Sequence, residues 1–397
     1  MKNNYIMGVI ACAALTMTSC SNDEIGGNNT KQGDPIEFGV YLGRDAQGSR
    51  GTIITKDNLT KFGVTAYLEP SNIPDFMYNQ EVIKNADGSW TYSPVKYWPT
   101  MKNDLGVKNH FISFYAYAPH TSNANSLITL SGNNDEHAAP TVTISLPTGA
   151  NADLANMVDF VATAKHFEYK TNGNGVSDKV TFNLKHEMTR IYLKAKVSEN
   201  VYGSTPANKT KVVIRSLKLK SGGEFYTKAT YTFPGLGAER GTWKNRTAAT
   251  ADLDLQSILN LSRDTWTISG KDIISSTNKG IALEGTSAVD LFNTNQYLFL
   301  IPAPNETGLK ENTTSATIEY DIITEDGNLE NGYSKTSATK TVYLPAGIMQ
   351  QGKAYNLTFT IAVDQVKLDA TVEPDWDKAT NSDIDVPYTP DDATPKP

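Results

Sequence analysis

From Pro35 onward, apolar side chains recur at every second position in short runs. The runs end in clusters of Gly, Asn, Asp or Pro, the pattern of half-buried β-strands joined by turns. Ile36–Leu42 is the first run. Phe62, Val64, Ala66 and Leu68 mark one face of the second. Phe76–Ile83 and Ser89–Tyr92 flank Asn85-Ala86-Asp87-Gly88, a hairpin signal because glycine relieves the positive-φ demand of a tight turn. Phe111–Tyr117 is an aromatic strand, Thr141–Leu146 alternates again, and Asp159–Lys165 closes the group. Seven strands over roughly 140 residues match the size of one β-sandwich.

The cluster Thr171–Ser177 (TNGNGVS) predicts a domain boundary, and a second set of strands follows it. Val180, Phe182 and Leu184 alternate, as do Ile191, Leu193, Ala195 and Val197. Further runs are Val212–Leu219, Thr230–Phe233, Trp266–Ser269, Tyr297–Ile301, Thr317–Ile323, Thr341–Leu344, Tyr355–Val363 and Val366–Val372. Only Asp252–Leu261 has a short helical spacing. The expected fold class is all-β, with two sandwiches in tandem over residues 35–175 and 176–376. Residues 377–397 are polar and Pro-rich, which excludes a long central strand there.

The first residues read differently. Lys2 precedes an apolar run, Ile6–Leu15, that is too short to cross a bilayer but has the length of a signal-peptide core. Small residues Thr18 and Ser19 lead to Cys20, the arrangement cut by lipoprotein signal peptidase. Residues 1–19 are thus expected to be removed and Cys20 to carry lipid. Residues 20–34 then form a polar tether spanning up to roughly 45 Å when extended. Cys12 is lost with the signal, so the mature chain has no second cysteine for a disulfide or a Cys-ligated metal site. A formal net charge of −7 argues against nucleic acid as a partner.

Motifs for catalysis are absent: there is no HExxH, GxSxG, P-loop or EF-hand loop, and no cofactor or metal is expected. His186 occupies an inward strand position beside Leu184, where a hydrogen-bonded core histidine is the simplest reading. A hydrolase built on an unrecognised carboxylate pair stays open, with Asp252/Asp254 and Asp383/Asp385 as i, i+2 pairs in polar segments. The segment Ser89–Pro99 (SWTYSPVKYWP) gathers Trp90, Tyr92, Tyr97 and Trp98. Such rings can stack on sugar C–H groups at an exposed face, or fill a sandwich core where Pro94 and Pro99 bracket a tight crossing.

An ordered series of motifs resembles the fimbrillin family, lipoprotein precursors of type V pili in Gram-negative anaerobes. It comprises Ile36-Glu37-Phe38, Phe62–Tyr67, Phe76–Gln80, Trp90-Thr91-Tyr92, Lys96-Tyr97-Trp98-Pro99, Ser113–Pro119, Asp159-Phe160-Val161, Phe182–His186, Pro345-Ala346-Gly347, Gly352–Tyr355 and Glu373–Trp376. Cys20–Glu24 also looks like the acidic signal that sends such lipoproteins to the cell surface. The resemblance implies two transthyretin-like sandwich domains, no catalysis, and a surface or fimbrial location at the outer membrane. Its implied partners are other pilus subunits, membrane lipid through Cys20, a trypsin-like maturation protease, and a host or bacterial surface ligand. In the family the protease cuts after an arginine in the loop following the first strand. That strand leaves, and a strand of the next subunit fills the groove. Arg50, in Gly48-Ser49-Arg50-Gly51, is the first candidate for the cut and Arg44 the second. The tail after Trp376 offers only Ser382–Val386 before its prolines, a departure that favours an accessory, anchor or tip subunit over a stalk. The alternative is a surface glycan-binding lipoprotein that does not polymerise.

Overall fold

The computed structural model describes residues 35–42, 53–68, 76–98, 110–122, 127–131, 140–147, 154, 157–163, 167–171, 179–201, 209–235, 238, 240–362 and 365–373. It is all-β. In chain order the first strands are β1 (Phe38–Leu42), β2 (Lys61–Leu68), β3 (Met77–Lys84), β4 (Trp90–Thr91), β5 (His110–Ala118), β6 (Ile128–Leu130), β7 (Thr141–Ser145), β8 (Val161–Thr163), β9 (Phe167–Thr171) and β10 (Val180–His186). There follow β11 (Thr189–Val197), β12 (Thr210–Leu219), β13 (Tyr226–Thr232), β14 (Thr242–Ala248), β15 (Leu253–Asp254), β16 (Trp266–Ile268), β17 (Lys271–Ile274) and β18 (Ile281–Leu283). The last are β19 (Val289–Asp290), β20 (Leu298–Leu300), β21 (Ser315–Glu325), β22 (Tyr333–Tyr343), β23 (Ala354–Ile361) and β24 (Val366–Val372).

An eight-stranded sheet runs β1-β10-β8-β5-β2-β3-β4, with β9 also on β5. Both of its faces are covered. On one face Phe62, Val64, Ala66, Ile112, Phe114, Val180 and Phe182 build a core of their own. On the other, Tyr67, Tyr115 and Tyr117 join Val142, Ile144, Tyr231 and Phe233 of the β14-β13-β7-β6 sheet, with Tyr115 and Phe233 edge-to-face at 5.6 Å. Period-2 side-chain alternation explains the split: neighbouring residues of β2 and β5 serve opposite cores.

The rest of the chain forms two facing sheets, β19-β11-β23-β24 with β20 on β11, and β15-β12-β21-β22 with β18 on β12. Ile191, Leu193, Leu357 and Phe359 of the first meet Leu217, Leu219 and Ala316 of the second across a small apolar gap. This core is continuous with that beneath β7 and β13.

Two expectations are corrected. Residue 175 does not divide the sheets, because β10 pairs with β1 and β8 in the first sheet and β13 and β14 complete the layer that β6 and β7 begin. The turn-rich cluster before β10 precedes another strand of the same sheet; the chain crosses to the second set between His186 and Thr189. Asp252–Leu261 is not a helix. It contains β15 and a turn closed by Ile258 N–H to Leu255 O at 3.0 Å. Its Leu253, Leu255, Ile258, Leu259 and Leu261 all enter the core, so no polar face remains for a surface helix.

Candidate functional site

The first strand of the chain is also an edge. β1 runs parallel to β10 in register, Phe38 opposite Val180 through Leu42 opposite Leu184, and among the described residues β10 is its sole strand neighbour in the sheet order. Alternation turns Ile36, Phe38 and Leu42 inward, where each is at most 2% exposed. Phe38 is ringed by aromatics: Phe182 stacks at 5.5 Å, Tyr92 lies at 5.1 Å, and Phe114 and Phe62 meet it edge-on at 6.1 and 6.5 Å. Burying three such side chains contributes roughly 5–9 kcal/mol, at about 1.5–3 kcal/mol each.

A second device holds the start of the strand. The Ile36 N–H donates to the Lys96 carbonyl at 2.9 Å, and the Tyr92 hydroxyl donates to the Ile36 carbonyl at 2.9 Å. The same hydroxyl accepts the Lys96 N–H at 3.2 Å, and Pro35 bridges Tyr97. Residues 92–98 therefore cross the entrance of β1 and satisfy both backbone groups of one residue. Burial pushes the Tyr92 phenol up to about 12, so it stays protonated and able to donate well above neutral pH.

The segment after β1 contains both candidate arginines. Arg44 and Arg50 lie outside the described residues, as does Cys20. On the far side the chain is fixed at once. Ile53 is 2% exposed, and the Ile54 N–H donates to Asp159 Oδ2 at 2.6 Å. Asp159 Oδ1 lies 2.9 Å from His186 Nδ1 at the end of β10, so this buried carboxylate ties residue 54 to the strand that carries β1. Asn58 closes the local turn, accepting the Thr55 N–H at 2.7 Å and donating to Ile53 O at 2.7 Å.

The four rings proposed for sugar stacking form no exposed platform. Tyr92 is 8% and Trp98 1% exposed. Trp98 packs edge-on to Phe114 at 6.1 Å, and half-buried Trp90 packs on Phe62 at 4.8 Å. Only Tyr97 is exposed. Tyr92 and Trp98 turn into the core of the first sheet, where Tyr92 packs on Phe38 of β1. Sequence reasoning located the rings but missed the hydroxyl contact, because 56 residues separate its partners.

Other candidate chemistry is engaged structurally. Asp252 accepts from Lys220 Nζ at 2.6 Å and the Ser221 N–H at 2.8 Å, and Asp254 accepts the Gln256 N–H at 3.0 Å. Asp383 and Asp385 lie outside the described residues. Among the described residues no three His, Cys, Asp or Glu side chains converge as metal ligands.

Comparison with known proteins places the chain. A fimbrial protein from Bacteroides vulgatus superposes with a TM-score of 0.68 at 26% identity, over 86% of this chain and 99% of that one. A fimbrial assembly protein from Parabacteroides distasonis aligns over 86% of this chain and 99% of that one, at 10% identity and a TM-score of 0.35. No curated protein matches the sequence. The fimbrillin-like profile matches residues 49–376, and the chain belongs to that family.

Proposed function

We propose that this chain is a structural or accessory subunit, an anchor or tip component, of a type V pilus. In this reading it is a surface adhesin exported through lipidation at Cys20 and activated by a trypsin-like cut after Arg50, or after Arg44. The cut frees β1, which leaves with the lipid, and a strand of another subunit takes its place. Family membership and the fimbrial neighbour support the pilus role. One observation carries the exchange step: β1 is an edge strand with a seat of its own, followed at once by the segment that holds both arginines. An emptied seat exposes the β10 edge and an apolar groove together, and strand addition satisfies both.

The test is limited trypsin digestion of the mature protein under native conditions. The expected result is a first cut after Arg50 or Arg44, loss of the upstream fragment, and association of the remainder. If other exposed basic sites are cut first and the segment 43–52 stays intact, the maturation step is wrong.

A further inference from the structure

The seat of β1 selects by sequence what can replace it. We propose that its second occupant is an extended segment of another polypeptide with the pattern aliphatic–x–aromatic–small–x–x–leucine and a free backbone N–H at its first position. The filter is the Tyr92–Lys96 crossing together with the aromatic pocket. This inference rests on the exchange reading above and names the partner that the exchange would take.

Three features set the pattern. First, the crossing reads one residue through its backbone. Ile36 gives its N–H to Lys96 O and receives the Tyr92 hydroxyl at its carbonyl, at a position 1% exposed. Proline has no N–H to give, so it would leave the Lys96 carbonyl without this donor. Second, the pocket residue stands two places further on, on the same face, where Phe38 fills the space between Phe182, Tyr92, Phe114 and Phe62. A slip of one residue turns every inward side chain outward. Third, a Cβ on Gly39 would come 3.2 Å from Thr181 Oγ1 and 2.9 Å from the movable end of Lys179, so a small residue is the one seated without either side chain shifting. Leu42 closes the far end at 2% exposure.

The tail of this chain fails the filter. Aligning Ile384 with Ile36 places Val386 in the aromatic pocket and Pro387 at the Gly39 position. Aligning Val386 with Ile36 brings Tyr388 to the pocket but puts Asp392 where Leu42 is buried. In neither register does the segment 384–392 of a second copy match the filter.

The experiment has two arms on the full mature chain. In the uncut protein, hydrogen exchange of residues 36–42 is compared between wild type and Tyr92→Phe, which keeps the ring and removes the hydroxyl. About a tenfold acceleration confined to this segment is expected. For the second arm, a sequence-specific protease site is placed within residues 43–52, so that the seat can be opened whatever trypsin does. Labelled synthetic peptides then compete for it. The peptide of residues 35–42 (PIEFGVYL) is expected to bind. Versions with proline at the Ile36 position or alanine at the Phe38 position bind at least about tenfold more weakly, and the peptide of residues 381–389 binds no better than either. Unchanged exchange in Tyr92→Phe, or equal binding of the proline or tail peptide, overturns the filter. Failure of trypsin at Arg44 and Arg50 overturns the processing step alone.

Discussion

Truncating Phe38 to alanine isolates the energetics of the seat. The ring is 2% exposed and touches four aromatic neighbours, and loss of a buried phenylalanine costs about 3–5 kcal/mol. Among the described residues β1 has β10 as its one strand partner, so the loss falls on local opening of this strand rather than on the whole chain. At about 1.4 kcal/mol per tenfold, exchange of the amides in residues 36–42 accelerates by roughly a hundredfold to a few thousandfold. The amides of β11, β12, β21 and β23, in the other pair of sheets, keep their protection. Hydrogen exchange with mass spectrometry on intact protein reads both regions in one experiment. Acceleration below tenfold at β1, or equal acceleration in β11 and β23, would show that β1 is not a separately removable element, and the exchange reading would lose its structural basis.

Three further outcomes follow from particular contacts. The Tyr92 phenol has its folded pKa raised to about 12 from an ordinary value near 10, so its contribution is intact below pH 10 and is lost between 10 and 12; β1 exchange, corrected for its intrinsic rate, should rise in that window and not in Tyr92→Phe. Burial acts to raise the Asp321 carboxyl, but bonds from Ser337, Arg215 and Lys335 outweigh it and hold the group below its usual range. Asp321→Asn should therefore cost about 3 kcal/mol in urea unfolding at pH 7, with the gap closing as pH falls through the depressed pKa and wild-type Asp321 is protonated. A Cβ on Gly63 would lie 2.5 Å from the Tyr117 ring, and that ring is pinned by its hydroxyl bond to Asn79 at 2.7 Å, so Gly63→Ala should lower the melting temperature by several degrees, with a shift under about one degree refuting the clash.

Strong alternation made much of the fold legible. Phe62-Val64-Ala66 and Tyr355-Leu357-Phe359-Ile361 can bury one face only as strands, and Asn85–Gly88 closes its hairpin with Asn85 N–H to Ser89 O at 2.7 Å and φ +85° at Gly88. Pairing was not legible. β1 and β10 are far apart in sequence and parallel, and nothing local to either specifies the other. Nor was β14: in Thr242–Ala248 only Trp243 is buried, leaving no period to detect. The helical spacing of Leu255, Ile258 and Leu259 misled for the opposite reason, since every apolar residue there is buried whatever the local conformation. At the candidate site the arginines were singled out through the fimbrillin resemblance, and the rings from their cluster in Ser89–Pro99. The role of Tyr92 came from a contact between distant segments, which periodicity does not encode.

The two ends of the segment 43–52 differ in a way that gives a cut there a direction. Downstream, Ile53 is buried, the Ile54 N–H is bound by the Asp159 carboxylate, and Asn58 bonds to both Ile53 and Thr55. Asp159 is itself engaged by His186, whose carbonyl accepts Arg240 Nη1 at 2.8 Å from the loop between β13 and β14. This end is bonded to a node that joins both layers of the first sandwich, and opening it would disturb more than a loop. Upstream, β1 has one ladder, one pocket and the Tyr92–Lys96 crossing, all of which another strand of suitable sequence can re-form. In the proposed exchange, cleavage anywhere between these ends would therefore make β1 the replaceable part and leave Ile53 onward with the body. Lipid on Cys20 would depart with β1. In the proposed exchange the anchor would then be temporary in a cut subunit and kept in an uncut one.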